Sequence, residues 1–149
     1  MKNHLAIFAA LLVVSGCSTT SLQRGQDVAP KTTQPSQSAS GGGRVGTGFI
    51  AAMNGGLVGG NIGSGLTAQE KRSGLEAEYK ALEYTASGQP VAWKGDQANH
   101  YGEVVAAQPY RVGSQDCRQY RHTVTAGGPA VTARGTACRN ADGSWTPLT

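Results

Sequence analysis

Aromatic residues make up only 6% of this 149-residue chain and charged residues only 15%, and there are three cysteines and three histidines. With so few aromatics and 38% hydrophobic residues, part of them in a removable leader, the chain cannot fill the core of a large enzyme. Its length allows one small domain with extensions, which does not suit a two-domain cofactor enzyme. Long apolar runs are missing too: the run Leu5 to Val14 has ten residues. As helix that run covers roughly 15 Å, about half the hydrocarbon thickness, so it is not a spanning segment. Excess charge is slight. Lys+Arg 13 against Asp+Glu 9 gives +4, or 12 basic residues against 9 acidic without Lys2, too mild and too spread for a nucleic-acid partner. Glycine, by contrast, is plentiful: 22 residues, about twice the usual ~7% share.

Lys2 gives a basic start, the apolar run follows, and Ser15-Gly16 places small residues at a cut site, so residues 1–16 form a secretory signal. The ending Val14-Ser15-Gly16-Cys17 resembles the lipobox of bacterial lipoproteins, in which the cysteine thiol takes a diacylglycerol and becomes the first mature residue. That resemblance implies lipid attachment at Cys17. With Ser18 following it instead of Asp, it also implies transport to the outer membrane. The other reading is an ordinary cleaved signal with a chance cysteine. Three acyl chains, at ~0.8 kcal/mol per buried CH2, would anchor a protein far more firmly than a single myristoyl group. Assigning Cys17 to lipid leaves Cys117 and Cys138 in an oxidising compartment, where a disulfide is the default.

Residues 17–40 are expected to be a lipidated, disordered tether. From Ser18 to Ser40 the chain is Ser, Thr, Gln and Pro with Leu22 and Val28 as its large apolar residues, too few to offset the entropy of ordering. Its coil reach is about 25 Å and its extended reach about 75 Å. Residues 41–66 are expected to form a glycine-zipper segment. Eleven of the 25 residues from Gly41 to Gly65 are glycine, and no charge lies between Arg44 and Glu70. Gly55, Gly59 and Gly63 recur every four residues, beside a second small-residue row of Gly48, Ala52, Gly56, Gly60 and Ser64. On a helix these rows share one face, and two such faces can approach to backbone contact, as small-xxx-small pairs do in lipid. A continuous helix from Val45 to Leu66 would be about 33 Å long, enough to cross a bilayer. Against it, Asn54-Gly55 is a strong turn signal, and each glycine costs roughly 0.8 to 1 kcal/mol of helix propensity. The plain alternative is a flexible Gly-rich linker. Gly41-x-Gly43-x-x-Gly46 fits the dinucleotide fingerprint formally, but no strand precedes it and residue 66 is Leu, so no nucleotide cofactor follows from it.

Residues 67–149 should form an α+β domain: one helix packed on a small antiparallel sheet braced by a disulfide. Thr67-Ala68-Gln69-Glu70 is a capping box. The helix should run to about Ala86, with Leu75, Tyr79, Leu82 and Ala86 as its apolar stripe opposite Lys71, Glu78 and Lys80. Strands follow at Val91 to Lys94 and Gly102 to Ala107, the latter continued at Tyr110 to Val112 after Pro109. Cys117 to Thr125 and Ala130 to Arg139 flank Ala126-Gly127-Gly128-Pro129. A hairpin centred on Gly127-Gly128 pairs residues whose numbers total 255, which sets Cys117 opposite Cys138. In that register Tyr120, His122 and Val124 share the core face, with the Tyr120 ring over Gly135. Arg121 and Arg134 then face each other on the other side, either solvated or holding an anion. A last strand, Ser144 to Pro147, should bury Trp145.

The zipper after a lipobox, the stretch Ala86 to Trp93, Cys117-Arg118-Gln119-Tyr120, and Gly135 to Trp145 with its Asp142-Gly143-Ser144-Trp145 ending together resemble the rickettsial seventeen-kilodalton surface antigen family of outer-membrane lipoproteins. The resemblance implies a surface or periplasm-facing antigen with a glycine-zipper segment and carries over no catalytic residues. The expected role is non-enzymatic: membrane association or self-assembly as a homo-oligomer through the zipper. The alternative is a tethered periplasmic module that binds an anionic envelope glycan or inhibits a hydrolase. Of the mature histidines, His122 falls on the core face, no Ser/His/Asp or Cys/His grouping stands out, and Glu76 and Glu83 fit an exposed helix flank. No metal or other cofactor is called for.

Overall fold

The computed structural model describes residues 45–148. The signal, Cys17, the tether and residues 41–44 lie outside the described residues. Within them, a sixteen-residue helix lies on one face of a six-stranded antiparallel sheet, as expected. Helix α1 is Thr47–Ala52 and α2 is Ala68–Glu83, with a short 3-10 helix at Asn61–Gly63 between them. The strands are β1 (Pro90–Lys94), β2 (His100–Ala106), β3 (Tyr110–Val112), β4 (Gln115–Ala126), β5 (Val131–Arg139) and β6 (Trp145–Pro147). Their order is β1-β2-β4-β5-β6, with β3 paired to the start of β4.

The capping box at the start of α2 is complete: the Thr67 hydroxyl accepts from the Glu70 amide at 3.2 Å, and Glu70 Oε2 accepts from the Thr67 amide at 2.9 Å. The helix ends at Glu83, short of the expected Ala86. Arg118 of β4 explains where it stops. The buried guanidinium donates to the carbonyls of Ala81 (3.0 Å), Leu82 (2.7 Å) and Thr85 (3.2 Å), satisfying acceptors that a further helical turn would have used. Tyr84 and Ala86 beyond it are exposed.

The β4–β5 register matches the reading from the turn. Cys117 pairs with Cys138, Tyr120 with Gly135, Arg121 with Arg134 and Val124 with Val131, and the two cysteines form a disulfide. Pro109 separates β2 from β3, yet both run along the same edge of β4, joined by the Ala107 amide donating to the Gln119 carbonyl. Alternation of the side chains puts Trp93, Val104, Tyr120, Val124 and Trp145 on the face that meets α2.

Residues 45–66 depart from a continuous zipper helix. Only Thr47–Ala52 is α-helical, and the chain then reverses through Asn54 (φ 46°), Gly55 (φ 85°) and Gly56 (φ 54°), left-handed angles that end any right-handed helix. The turn signal at Asn54-Gly55 thus prevails. No helix among the described residues is long and apolar enough to cross a membrane. The segment folds onto the body: Val45, Ile50, Met53, Val58, Ile62 and Leu66 are buried in the same core as Leu75, Leu82 and Val104. The boundary placed at Thr67 therefore separates elements that share one core. At about 1.5–3 kcal/mol for each large apolar side chain removed from water, those six residues contribute on the order of 10 kcal/mol, comparable to the whole stability of a small domain.

Candidate functional site

Beneath the sheet lies a buried polar network centred on Glu78, fully inaccessible although it was expected on the polar side of α2. Leu75, Glu78 and Leu82 are spaced i, i+3, i+7, so the carboxylate projects from the apolar stripe itself. Its Oε1 receives hydrogen bonds from the Val58 amide at 2.9 Å and from His122 Nδ1 at 2.7 Å. Oε2 receives them from the Leu57 amide at 3.1 Å and the Tyr120 hydroxyl at 3.2 Å. Trp93 Nε1 donates to His122 Nε2 at 2.8 Å. An indole N–H only donates, so His122 Nε2 accepts and its proton sits on Nδ1, facing Glu78. Burial, with the Glu78 charge adding to it, raises the Tyr120 hydroxyl above the ordinary tyrosine range. One carboxylate thereby joins the Gly-rich turn, helix α2 and strand β4, and His122 extends the chain to β1.

A second pair, Glu70 with His100, pins the β1–β2 turn. His100 Nδ1 lies 3.1 Å from both Glu70 oxygens, and the Asp96 and Gln97 amides donate to Oε1 at 3.1 and 3.4 Å. The Thr67 amide, then His100 and the Gln97 amide, hold the Glu70 carboxyl down to about 2 against the opposing effect of burial. A third cluster closes the far end. Glu83, expected on an exposed flank with Glu76, accepts from Arg139 Nε and Nη2 (2.8 and 2.7 Å) and from Trp145 Nε1 at 2.8 Å. The Arg139 hydrogen bonds lower the Glu83 carboxyl and raise the Arg139 guanidinium. Every buried side-chain nitrogen and oxygen among the described residues has a partner.

The zipper residues are dispersed by the turns. Gly48 and Ala52 lie in α1, Gly48 exposed with nothing within 4 Å of a would-be Cβ. Gly55 and Gly56 form the left-handed turn, Gly59 and Gly60 are exposed, and Gly63 sits buried in the 3-10 helix. A Cβ on Gly56 would fall 2.7 Å from Leu75 Cδ1 and into the Glu78 carboxylate, so its missing side chain serves contact within the chain. A Cβ on Gly135 would likewise fall 3.0 Å from Leu57 Cδ2 and 3.6 Å from the Tyr120 ring.

The opposite face of the sheet carries Arg121 and Arg134, directly paired in register and both exposed. They edge an open concavity of about 600 Å³ with Gly88, Ala107, Gln119 and Thr136. A second concavity, of about the same volume, has its charges spent on one another: Arg111 meets Asp116 at 3.2 Å and Arg139 meets Glu83 at 2.7 Å. Arg72 pairs with Glu76, and Arg118 with backbone carbonyls. Arg121 and Arg134 alone among the described arginines have neither ion pair nor hydrogen bond.

The fold and its surface define a small disulfide-braced α+β domain with a Gly-rich segment folded into its core. Residues 80–146 match the family described as 17 kDa outer membrane surface antigen. The chain is 36% identical over 106 residues to the 17 kDa surface antigen of Rickettsia bellii, a match covering 67% of this chain and 67% of the relative. It is 39% identical over 83 residues to that of Rickettsia japonica (55% of this chain, 52% of the relative). The match to that of Rickettsia conorii is 39% over 82 residues (54% and 52%). No solved structure matches. The chain belongs to the 17 kDa surface antigen family.

Proposed function

We propose that this chain is an outer-membrane lipoprotein, anchored by acyl chains at Cys17 and displaying its folded domain at the cell surface in a non-enzymatic role. The observation that carries the anchor is the sequence Val14-Ser15-Gly16-Cys17 directly after a ten-residue apolar run. The surface location is suggested by the family's description and by the names of its rickettsial members. In favour of a non-enzymatic role, both Glu–His pairs are buried and bound to structural partners, whereas a general base has to reach a substrate proton. The carboxylates hold backbone amides in place and offer no free lone pair to a cleft. Attachment through lipid also leaves the apolar side chains of residues 45–66 in the core, with no need to enter the bilayer.

The test is metabolic labelling with radioactive palmitate, followed by fractionation of cells producing the wild type or Cys17→Ser. The wild type should carry label and sediment with outer membranes, and Cys17→Ser should be unlabelled and soluble after osmotic shock. A Cys17→Ser protein that stays in the outer membrane would overturn the anchor and return attention to residues 41–66.

A further inference from the structure

We propose that the Arg121–Arg134 face binds a sugar carrying a phosphate monoester. Facing residues of an antiparallel pair have Cβ atoms about 4.5–5.5 Å apart, and like charges there destabilise the sheet. Arg121 and Arg134 stand in that relation on β4 and β5, and no carboxylate of the described residues lies within ion-pair distance of either. Glu103, the nearest acid in register on the same face, sits opposite Thr123, one rung away. The other described arginines are all engaged by the fold. Among the described residues nothing engages this pair, which leaves its two positive charges for a ligand.

The number of charges and their geometry select the ligand class. A carboxylate has two oxygens and one charge, so a single guanidinium fork satisfies it and leaves the second arginine uncompensated. A phosphate monoester offers three terminal oxygens and close to two charges, and can take a bidentate contact from each fork. The concavity beside the pair, about 600 Å³, is far larger than the ion and lies in the range of small-molecule sites. Gln119 and Thr136, paired in register one rung beyond the arginines, line it with an amide and a hydroxyl suited to sugar hydroxyls. Gly88, with no side chain, keeps one wall open to a pyranose-sized group.

Isothermal titration of the full chain in detergent micelles tests this with glucose 1-phosphate, inorganic phosphate, glucuronate and glucose as probes. Glucose 1-phosphate should bind most tightly, glucuronate about tenfold more weakly, and glucose without measurable heat. Arg121→Gln and Arg134→Gln should each weaken glucose 1-phosphate about tenfold, and added salt should weaken it further. Both side chains are exposed, so circular dichroism of the variants should match the wild type. Arg111→Gln, at an exposed arginine already paired with Asp116, should leave binding unchanged. The proposal is overturned if the wild type does not bind glucose 1-phosphate, or if both Gln variants bind it as the wild type does. Equal affinity for glucuronate would replace the phosphate with any acidic sugar, and equal affinity for inorganic phosphate would remove the sugar, and either contradicts the proposal. A loss in Arg111→Gln as large as in Arg121→Gln would reduce the effect to net charge and overturn it too.

Discussion

Replacing Glu78 by Gln keeps the shape of the side chain and changes one oxygen to NH2. Four donors converge on that carboxylate: the Leu57 and Val58 amides, the Tyr120 hydroxyl and His122 Nδ1. If the NH2 takes the Oε1 side it opposes the Val58 amide and His122, and His122 cannot yield its proton to Nε2 without losing the Trp93 hydrogen bond. The better orientation puts NH2 at Oε2, where the Tyr120 hydroxyl can turn to accept but the Leu57 amide loses its partner. A stranded amide costs about 1–3 kcal/mol, and exchanging charge-assisted hydrogen bonds for neutral ones adds about 1 kcal/mol, giving roughly 2–4 kcal/mol in total. At about 4–8 °C per kcal/mol for a domain of this size, Tm should fall by roughly 8–32 °C. Circular dichroism melts at pH 7 with the disulfide intact would show it, with Glu76→Gln as the control. Glu76 sits in a partly exposed i,i+4 pair with Arg72, and removing its charge should cost less than about 1 kcal/mol. A Glu78→Gln protein melting within about 2 °C of the wild type would refute the network as an anchor of the Gly-rich turn.

The glycines should separate by position. Gly56→Ala, which drives a Cβ into Glu78 at a left-handed backbone, should destabilise by at least about 2 kcal/mol, and Gly48→Ala, in a helix with open space, should stabilise by about 0.5–1 kcal/mol. A zipper between chains makes both substitutions disruptive, so urea titrations of the pair distinguish the two accounts. Acid stability should follow Glu70: the unfolded chain takes up its proton near the ordinary value of 4.5 and the folded chain only at about 2. Stability from this group is therefore complete above about pH 5 and lost as the pH falls through that window, and urea midpoints of Glu70→Gln should lack that part of the acid slope. Reduction of Cys117–Cys138, which closes a loop across a separation of 21 residues, should cost about 3 kcal/mol. An unchanged melt in reducing buffer would contradict it.

What the sequence made legible were the features set by local chemistry. Gly127-Gly128 fixes the hairpin, and the two-residue period of strands then fixes Cys117 against Cys138 and sorts Tyr120, His122 and Val124 to the core. The Thr67–Glu70 box marks the start of α2 as written. The end of that helix was not legible, because Arg118, which donates to its last carbonyls, lies 36 residues from Leu82 in sequence. Glu78 left a signal that charge alone obscured: its i, i+3, i+7 spacing with Leu75 and Leu82 puts it on the buried face, but its partners come from residues 57, 58, 120 and 122. The Gly-rich segment is ambiguous for a related reason. Rows of glycine permit close backbone approach whether the neighbour is a second helix or the Glu78 carboxylate, and only the left-handed angles at 54–56 decide. The Arg121–Arg134 pairing was legible from the register, and the ion pairs that leave both arginines without partners among the described residues came only with the fold.

Surface labelling decides whether the lipid-anchored domain stands outside the cell. Intact cells producing the wild type and Cys17→Ser are stained with an antibody raised against the folded domain, beside cells opened with detergent. Intact wild-type cells should stain as strongly as opened ones, and intact Cys17→Ser cells should not stain. Wild-type cells that hold the protein in the outer membrane but stain only after opening would contradict surface display and turn the domain toward the periplasm.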